Sequence, residues 1–179
     1  DIARVRPDGK TVDWIEGDAR TIRLDERFDL IALTGHTFQV FLTEADQRAV
    51  IATIAAHLKP GGQFIFDSRN PDFPGGKTRT MESTLRRFTH PVHGEVEAWN
   101  ESTFDDATQI LSYRNSYRVL KSGELHTATA RIRYTPKNII AELLQESGLQ
   151  VERWFGDWTG STFDPASKEI IPPGRAVPQ

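Results

Sequence analysis

Between residues 28 and 67 two short apolar runs flank a helical stripe, and this pattern constrains the chain more than any other. Phe28-Asp29-Leu30-Ile31-Ala32-Leu33 is nearly continuous in apolar side chains, and Gln63-Phe64-Ile65-Phe66-Asp67 is its counterpart. Such runs suit strands buried on both faces, the condition of a parallel sheet. Between them, Val50, Ile51, Ile54 and Leu58 recur at helical spacing, which predicts a helix over residues 44–58. Thr43 is placed to cap it, with Asp46 three residues on, and Lys59-Pro60-Gly61-Gly62 supplies a cation and then breakers at the other end. Strand, helix and strand at this spacing form a βαβ unit, whose crossover makes the strands parallel. The expected class is therefore α/β.

The flanks extend that pattern. Residues 12–16 read as another strand, ending in Gly17-Asp18-Ala19-Arg20. Residues 72–77, with Pro and two Gly, read as a loop. Residues 95–104, 108–119 and 124–134 predict an antiparallel meander, within an insertion spanning 72–134. Its middle strand alternates, with Leu111, Tyr113, Tyr117 and Val119 on one face and Ser112, Arg114, Ser116 and Arg118 on the other. Asp105-Asp106-Ala107 and Lys121-Ser122-Gly123 supply its turns. Thr135-Pro136 predicts a helix start, Thr as cap and Pro at the first helical position. Ile139, Ile140, Leu143 and Leu144 form the buried stripe, and Gly148 ends it. Residues 149–155 return as a strand that 168–171 can join, with Pro172-Pro173 stopping the last strand early.

Composition removes whole classes of function. The 179 residues predict one domain, and 37% hydrophobic content is enough for a core. Lys plus Arg is 22 against 25 for Asp plus Glu, a formal charge of −3, so neither nucleic acid nor an anionic membrane is indicated as a partner. No apolar run approaches a membrane span of about 18 residues. The absence of cysteine excludes disulfides, thiolate metal sites and cysteine nucleophiles. It also fits a reducing, cytoplasmic location. His90, His93 and Glu95 do not read as a metal site, because residues three apart on an extended segment point to opposite faces.

In an open parallel sheet, ligands bind beyond the carboxyl ends of the strands. That rule selects three loops: 17–20, 34–39 and 67–71. Together they offer a carboxylate, backbone amides, an imidazole, an aromatic ring and a guanidinium, a set suited to a small molecule.

The ordered set is also familiar. Gly17-Asp18-Ala19 after a strand, Phe28-Asp29-Leu30-Ile31 leading into Gly35-His36-Thr37-Phe38-Gln39, and Leu58-Lys59-Pro60-Gly61-Gly62 before Phe64-Ile65-Phe66-Asp67 resemble class I S-adenosylmethionine-dependent methyltransferases. The close, from Tyr134-Thr135-Pro136 through Gly148-Leu149 to Gly156-Asp157-Trp158, resembles their last helix and antiparallel strand pair. The resemblance covers roughly residues 10 to 160. It implies a Rossmann-like, three-layer, mostly parallel sheet with an antiparallel insertion, and S-adenosylmethionine as cofactor. It further implies that Asp18 accepts a hydrogen bond from the adenine amino group and that the Ala19 amide meets a ring nitrogen. Thr34 and Gly35 would lie under the methionine portion. His36 would face the sulfonium or the acceptor and serve as candidate base. The small-molecule acceptor, a nitrogen or oxygen nucleophile, would be reached from the insertion by Arg69, Tyr113, Tyr117, Arg131 and Arg133.

The family's glycine-rich loop and the acidic end of its second strand have no counterpart in this sequence, and the only methionine is Met81. The expectation is a truncated domain lacking two βα units, on the order of 60 residues at about 30 per unit. Such a piece is expected to be inactive by itself. A non-catalytic interaction module of the same fold is the alternative. A nicotinamide-dependent reductase shares the sheet, but Tyr134 and Lys137 lie three positions apart where that chemistry needs four. His57, late on its helix, and Asp29, near the start of its strand, read as structural. Trp14, Trp99, Trp154 and Trp158 read as packing residues.

Overall fold

The computed structural model describes residues 4–177. Its framework is a four-stranded sheet built from β1 (Phe28–Leu33), β2 (Leu58–Phe66), β8 (Leu149–Val151) and β10 (Gly174–Ala176), in the order β1-β2-β10-β8. The expected βαβ unit is present. β1 and β2 pair in parallel, with Leu30 opposite Gln63 and Leu33 opposite Phe66, and α1 (Glu44–His57) makes the crossover. Thr43 caps α1 as expected, its hydroxyl accepting from the Asp46 amide at 3.1 Å. β2 begins directly at the helix end, and the Lys59-to-Gly62 stretch bulges out of the ladder between the Phe28 and Leu30 pairings. The sheet is mixed, because β10 runs antiparallel to both β2 and β8.

Burial follows residue parity. Phe64 and Phe66 project from one face of β2 and are 1% and 0% exposed. Against them pack Val50, Ile51 and Ile54 of α1, and Ile140, Leu143 and Leu144 of α3 (Lys137–Glu146). Phe38, in a short 3-10 turn over Thr37–Val40, closes this core with its ring 4.7 Å from that of Phe66. A buried polar pair ties α1 to the entry of α3: Gln47 donates to the Thr135 hydroxyl at 2.7 Å, and that hydroxyl donates back at 3.0 Å.

Three expectations are corrected. β1 is not buried on both faces: Phe28 and Leu30 are 37% and 57% exposed, because β1 is the edge of this sheet among the described residues. Residues 12–16 form no strand, since no neighbour satisfies their backbone in a ladder, and Val12, Trp14 and Ile15 are exposed. Thr135 does not cap α3; its hydroxyl is spent on Gln47 inside the core, and Pro136 takes the cap position without a side-chain bond. Pro172-Pro173 stops the 168–171 strand early as expected, that strand ending at Ile170, but the chain forms a further strand beyond the prolines. Phe155 bridges Ile171, the prolines turn the chain, and β10 then enters between β2 and β8.

His57 is structural as expected, for a different reason from the helix dipole. Its Nδ1 lies 2.7 Å from the Thr53 carbonyl, and its Nε2 accepts the Leu24 amide at 2.8 Å, a pattern that requires the neutral ring. The ring therefore pins the loop before β1 to α1. Asp29 is likewise structural, ion-paired to Lys59 at 2.8 Å.

The meander forms with an extra strand at its start. β4 (Arg86–His90), β5 (Gly94–Asp105), β6 (Ile110–Val119) and β7 (Leu125–Arg133) pair antiparallel in that order. A one-turn helix, α2 (Met81–Thr84), precedes β4 and rests on β5. Neither β4 nor α2 was legible, because Arg86-Arg87 masks any apolar alternation. A two-stranded pairing of β3 (Ser68–Arg69) with β9 (Glu169–Ile170) prolongs the β2 end. Among the described residues no helix is long and apolar enough to cross a membrane.

Gly174 shows how tightly β10 is wedged. A Cβ there would overlap the Gln150 carbonyl oxygen and stand 2.7 Å from the Phe64 ring. Gly174→Ala is therefore expected to lower stability by about 1–3 kcal/mol, the usual cost of overpacking, read as an earlier urea midpoint at unchanged slope.

Candidate active site

Three segments converge where β1 and β2 end. After β1 the chain turns through Gly35 and His36, both left-handed, with φ of 70° and 60°. His36 is held there because its amide donates to Asp67 Oδ1 at 2.8 Å. Asp67, the residue after β2, is 2% exposed, and its other oxygen accepts from the Trp158 indole at 3.3 Å. The β3–β9 pairing places Glu169 opposite Arg69. Glu169 Oε2 then lies 2.8 Å from His36 Nε2, with Asp67 Oδ2 at 3.8 Å from the same nitrogen. The imidazole is thus bracketed by two carboxylates from two different parts of the chain.

His36 opens onto a cavity of about 340 Å³ lined by Gly35, Arg69, Arg79, Asn100, Tyr113 and Tyr134, among others. Its far wall is the β5–β7 face of the meander. Tyr134 is 6% exposed, and burial pushes its phenol above the usual range, opposed by the Arg69 and Arg79 guanidiniums. Arg69 donates to the Gln39 amide oxygen at 3.2 Å. Asn100 donates to the Asn115 amide oxygen at 2.6 Å across the strands.

Of the residues expected at a site, Gly35, His36, Arg69 and Tyr113 meet at this cavity. Thr34 lies at the same turn, its carbonyl accepting from the Thr37 hydroxyl at 2.7 Å. Tyr117 and Arg131 are not brought there. Tyr117 is 39% exposed at the other end of β6, paired with His126, because a ten-residue strand carries it away from the sheet edge. Arg131 lines a separate shallow groove with Ser112 and Thr129. Arg133 turns to the Leu42 carbonyl at 3.4 Å, while its own carbonyl accepts from Gln39.

The 17–20 loop does not touch this cavity. Asp18 is bound by Arg20 through both oxygens, at 2.7 Å to the nearer nitrogen, and Arg20 also reaches Asp46 at 2.7 Å. That side-chain bonding to Arg20 lowers the Asp18 carboxyl to about 2. Sequence reasoning missed Asp67, Glu169, Tyr134 and Arg79. Asp67 was visible as the polar residue closing an apolar strand, but Glu169 is 133 residues from His36 and no local pattern connects them. Among the described residues no group of three metal-ligating side chains is arranged to hold a metal ion, His90 and His93 included.

The comparisons with known proteins fall into line with this geometry. Residues 1–62 match the methyltransferase domain family. A cypemycin N-terminal methyltransferase from a Streptomyces species is 26% identical over 163 residues, which is 90% of this chain and 64% of the relative, so the chain spans less than two thirds of that protein. The CcbJ methyltransferase of Streptomyces caelestis superposes with a TM-score of 0.81 at 20% identity, covering 98% of this chain and 68% of its own. CalS10 of Micromonospora echinaspora, an amino pentose methyltransferase with S-adenosylmethionine bound, gives 0.60 at 18% identity, covering 89% and 63%. The fold is thus that of the methyltransferase structures on which the chain superposes, and the family match and the relative point the same way.

The Asp18–Arg20 clasp can be tested directly. The folded value lies below the ordinary 3.8, so the clasp favours the folded chain above that pH and the gain is lost as pH falls through about 2. Arg20→Gln is expected to raise the Asp18 carboxyl towards its ordinary value in a carbon-detected NMR titration, while the residue-20 amide continues to lower it.

Proposed function

We propose that this chain supplies the acceptor side of a protein that transfers the methyl group of S-adenosylmethionine to the nitrogen of a small-molecule amine. The observation that carries the reading is the His36 imidazole, held between Glu169 and Asp67 on the wall of a cavity of matching size. A relative named as an N-terminal methyltransferase and a similar structure titled a sugar N-methyltransferase support nitrogen as the acceptor atom.

The residues present fit the cofactor. No atom lies within 4 Å of where a Gly35 Cβ would stand, leaving open space beside the Thr34-Gly35-His36 turn for a methionine chain. Asp18 is exposed, and the Ala19 amide donates no main-chain hydrogen bond among the described residues. A carboxylate acceptor beside a free amide donor suits the amino and ring-nitrogen edge of adenine. Arg20 would have to yield part of its hold on Asp18. Where bound, S-adenosylmethionine supplies an electrophilic methyl group that a lone pair must approach in line.

An amine at neutral pH is mostly an ammonium and lacks that lone pair. With its Nε2–H donated to Glu169, the His36 ring has its lone pair on Nδ1 and can take the acceptor's proton there. Glu169 then faces the imidazolium, and Asp67 adds a second negative charge nearby. The two carboxylates also favour entry of a cationic acceptor. Trp158, donating to Asp67, covers the carboxylate from solvent.

His36→Ala is expected to slow labelled-methyl transfer to an amine about 10²–10⁴-fold, the usual contribution of a positioned base. Glu169→Gln should lose less, because the ring keeps a hydrogen-bond partner. An unchanged rate in His36→Ala would remove the imidazole from the reaction.

A further inference from the structure

The cavity carries positive charge that proton removal does not use. Arg79 is fixed on β5 by two main-chain bonds with Ser102, of 3.0 and 3.2 Å, and its guanidinium lines the cavity. Other arginines of the chain find carboxylates: Arg20 with Asp18, Arg48 with Glu44, Arg87 and Arg118 with Glu97. Among the described residues, neither Arg79 nor Arg69 forms a salt bridge, although Glu169 stands directly opposite Arg69 in the β3–β9 pair. Glu169 is turned to His36 instead, and Arg69 settles for the neutral Gln39 oxygen. One cavity thus has an acidic end around His36 and an uncompensated cationic wall across from it.

Neutral chemistry fills the space between. Leu111 and Ile132, 6% and 8% exposed, present an apolar wall below Tyr113. Asn100 spends its own amide N–H on the Asn115 oxygen, which leaves the Asn115 amide nitrogen facing the cavity with donors to offer. A guanidinium and an amide donor converging on one wall suit a carboxylate, which accepts several hydrogen bonds at once.

We propose that the acceptor is a zwitterionic amino acid with an apolar side chain. Its amine lies at His36, its carboxylate on Arg79 and Asn115, and its side chain against Leu111 and Ile132. This rests on the amine-methylation reading and adds the second charge that reading does not require. Free amines without a carboxylate would leave Arg79 without a charged partner in the cavity.

Calorimetry on the full chain with four probes separates the possibilities: L-leucine, L-leucinol, isoamylamine and 4-methylpentanoate. Leucine is expected to bind roughly tenfold tighter than leucinol, the effect of one charge-assisted hydrogen bond. Arg79→Gln should abolish that preference and Arg79→Lys should restore part of it. Arg79 is exposed on the surface side, so neither change threatens folding. Equal binding of leucine and leucinol, or a preference that survives Arg79→Gln, overturns the proposal. So does 4-methylpentanoate binding as tightly as leucine, which would make the cavity a plain anion site. Labelled-methyl transfer to leucinol or isoamylamine in any of those cases would leave the amine reading standing. If no probe binds and no amine is methylated, both readings fall.

Discussion

The burial of one face of a single strand organises this molecule. Phe64 and Phe66 can leave water only if α1 and α3 lie on the same side of β2, and the stripes of both helices are spaced to meet them. At about 25 cal/mol per Å² of apolar surface, phenylalanine pairs of this kind dominate local stability. Once β2 is fixed, its carboxyl end is fixed, and with it Asp67. The site inherits its position from the core.

Asp67 converts that packing into chemistry. A carboxylate 2% exposed needs donors, and it finds them in the His36 amide and the Trp158 indole. Accepting from the His36 amide holds the turn after β1 in left-handed backbone and aims the imidazole at the cavity. Glu169 reaches the same ring only because β9 pairs with β3. The turn, the β2 end and the C-terminal segment are therefore one hydrogen-bonded unit, and the meander stands over it as a separate wall with its own small cluster of Leu111, Ile132 and Tyr134.

Charge is distributed unevenly across that unit. Acidic groups crowd the sheet edge and arginines line the insertion, although the whole chain carries a net charge of only −3. A near-neutral balance gave no sign of a polyanionic partner, and it concealed a cavity with two opposed ends. At the other loop, Arg20 is shared between Asp18 and Asp46, so the carboxylate proposed for adenine is engaged by the chain's own arginine.

The sequence by itself determined the βαβ unit, the capped helix over Glu44–His57, the meander's strands and the loops that end β1 and β2. Each rests on interactions within a dozen residues: apolar periodicity, a capping hydroxyl, turn-forming residues. Gly35, His36 and Arg69 were legible as residues lining one cavity because strand ends carry them to one edge, and Tyr113 because of its face on β6. Tertiary structure alone decided that Thr135 serves the core instead of its helix, that β10 enters the sheet after two prolines, and that residues 12–16 find no ladder. It alone brought Glu169 to His36 and turned Tyr117, Arg131 and Arg133 elsewhere. Those outcomes depend on which distant groups remain unsatisfied once the core has formed, and that competition is settled only when all of the partners share one fold.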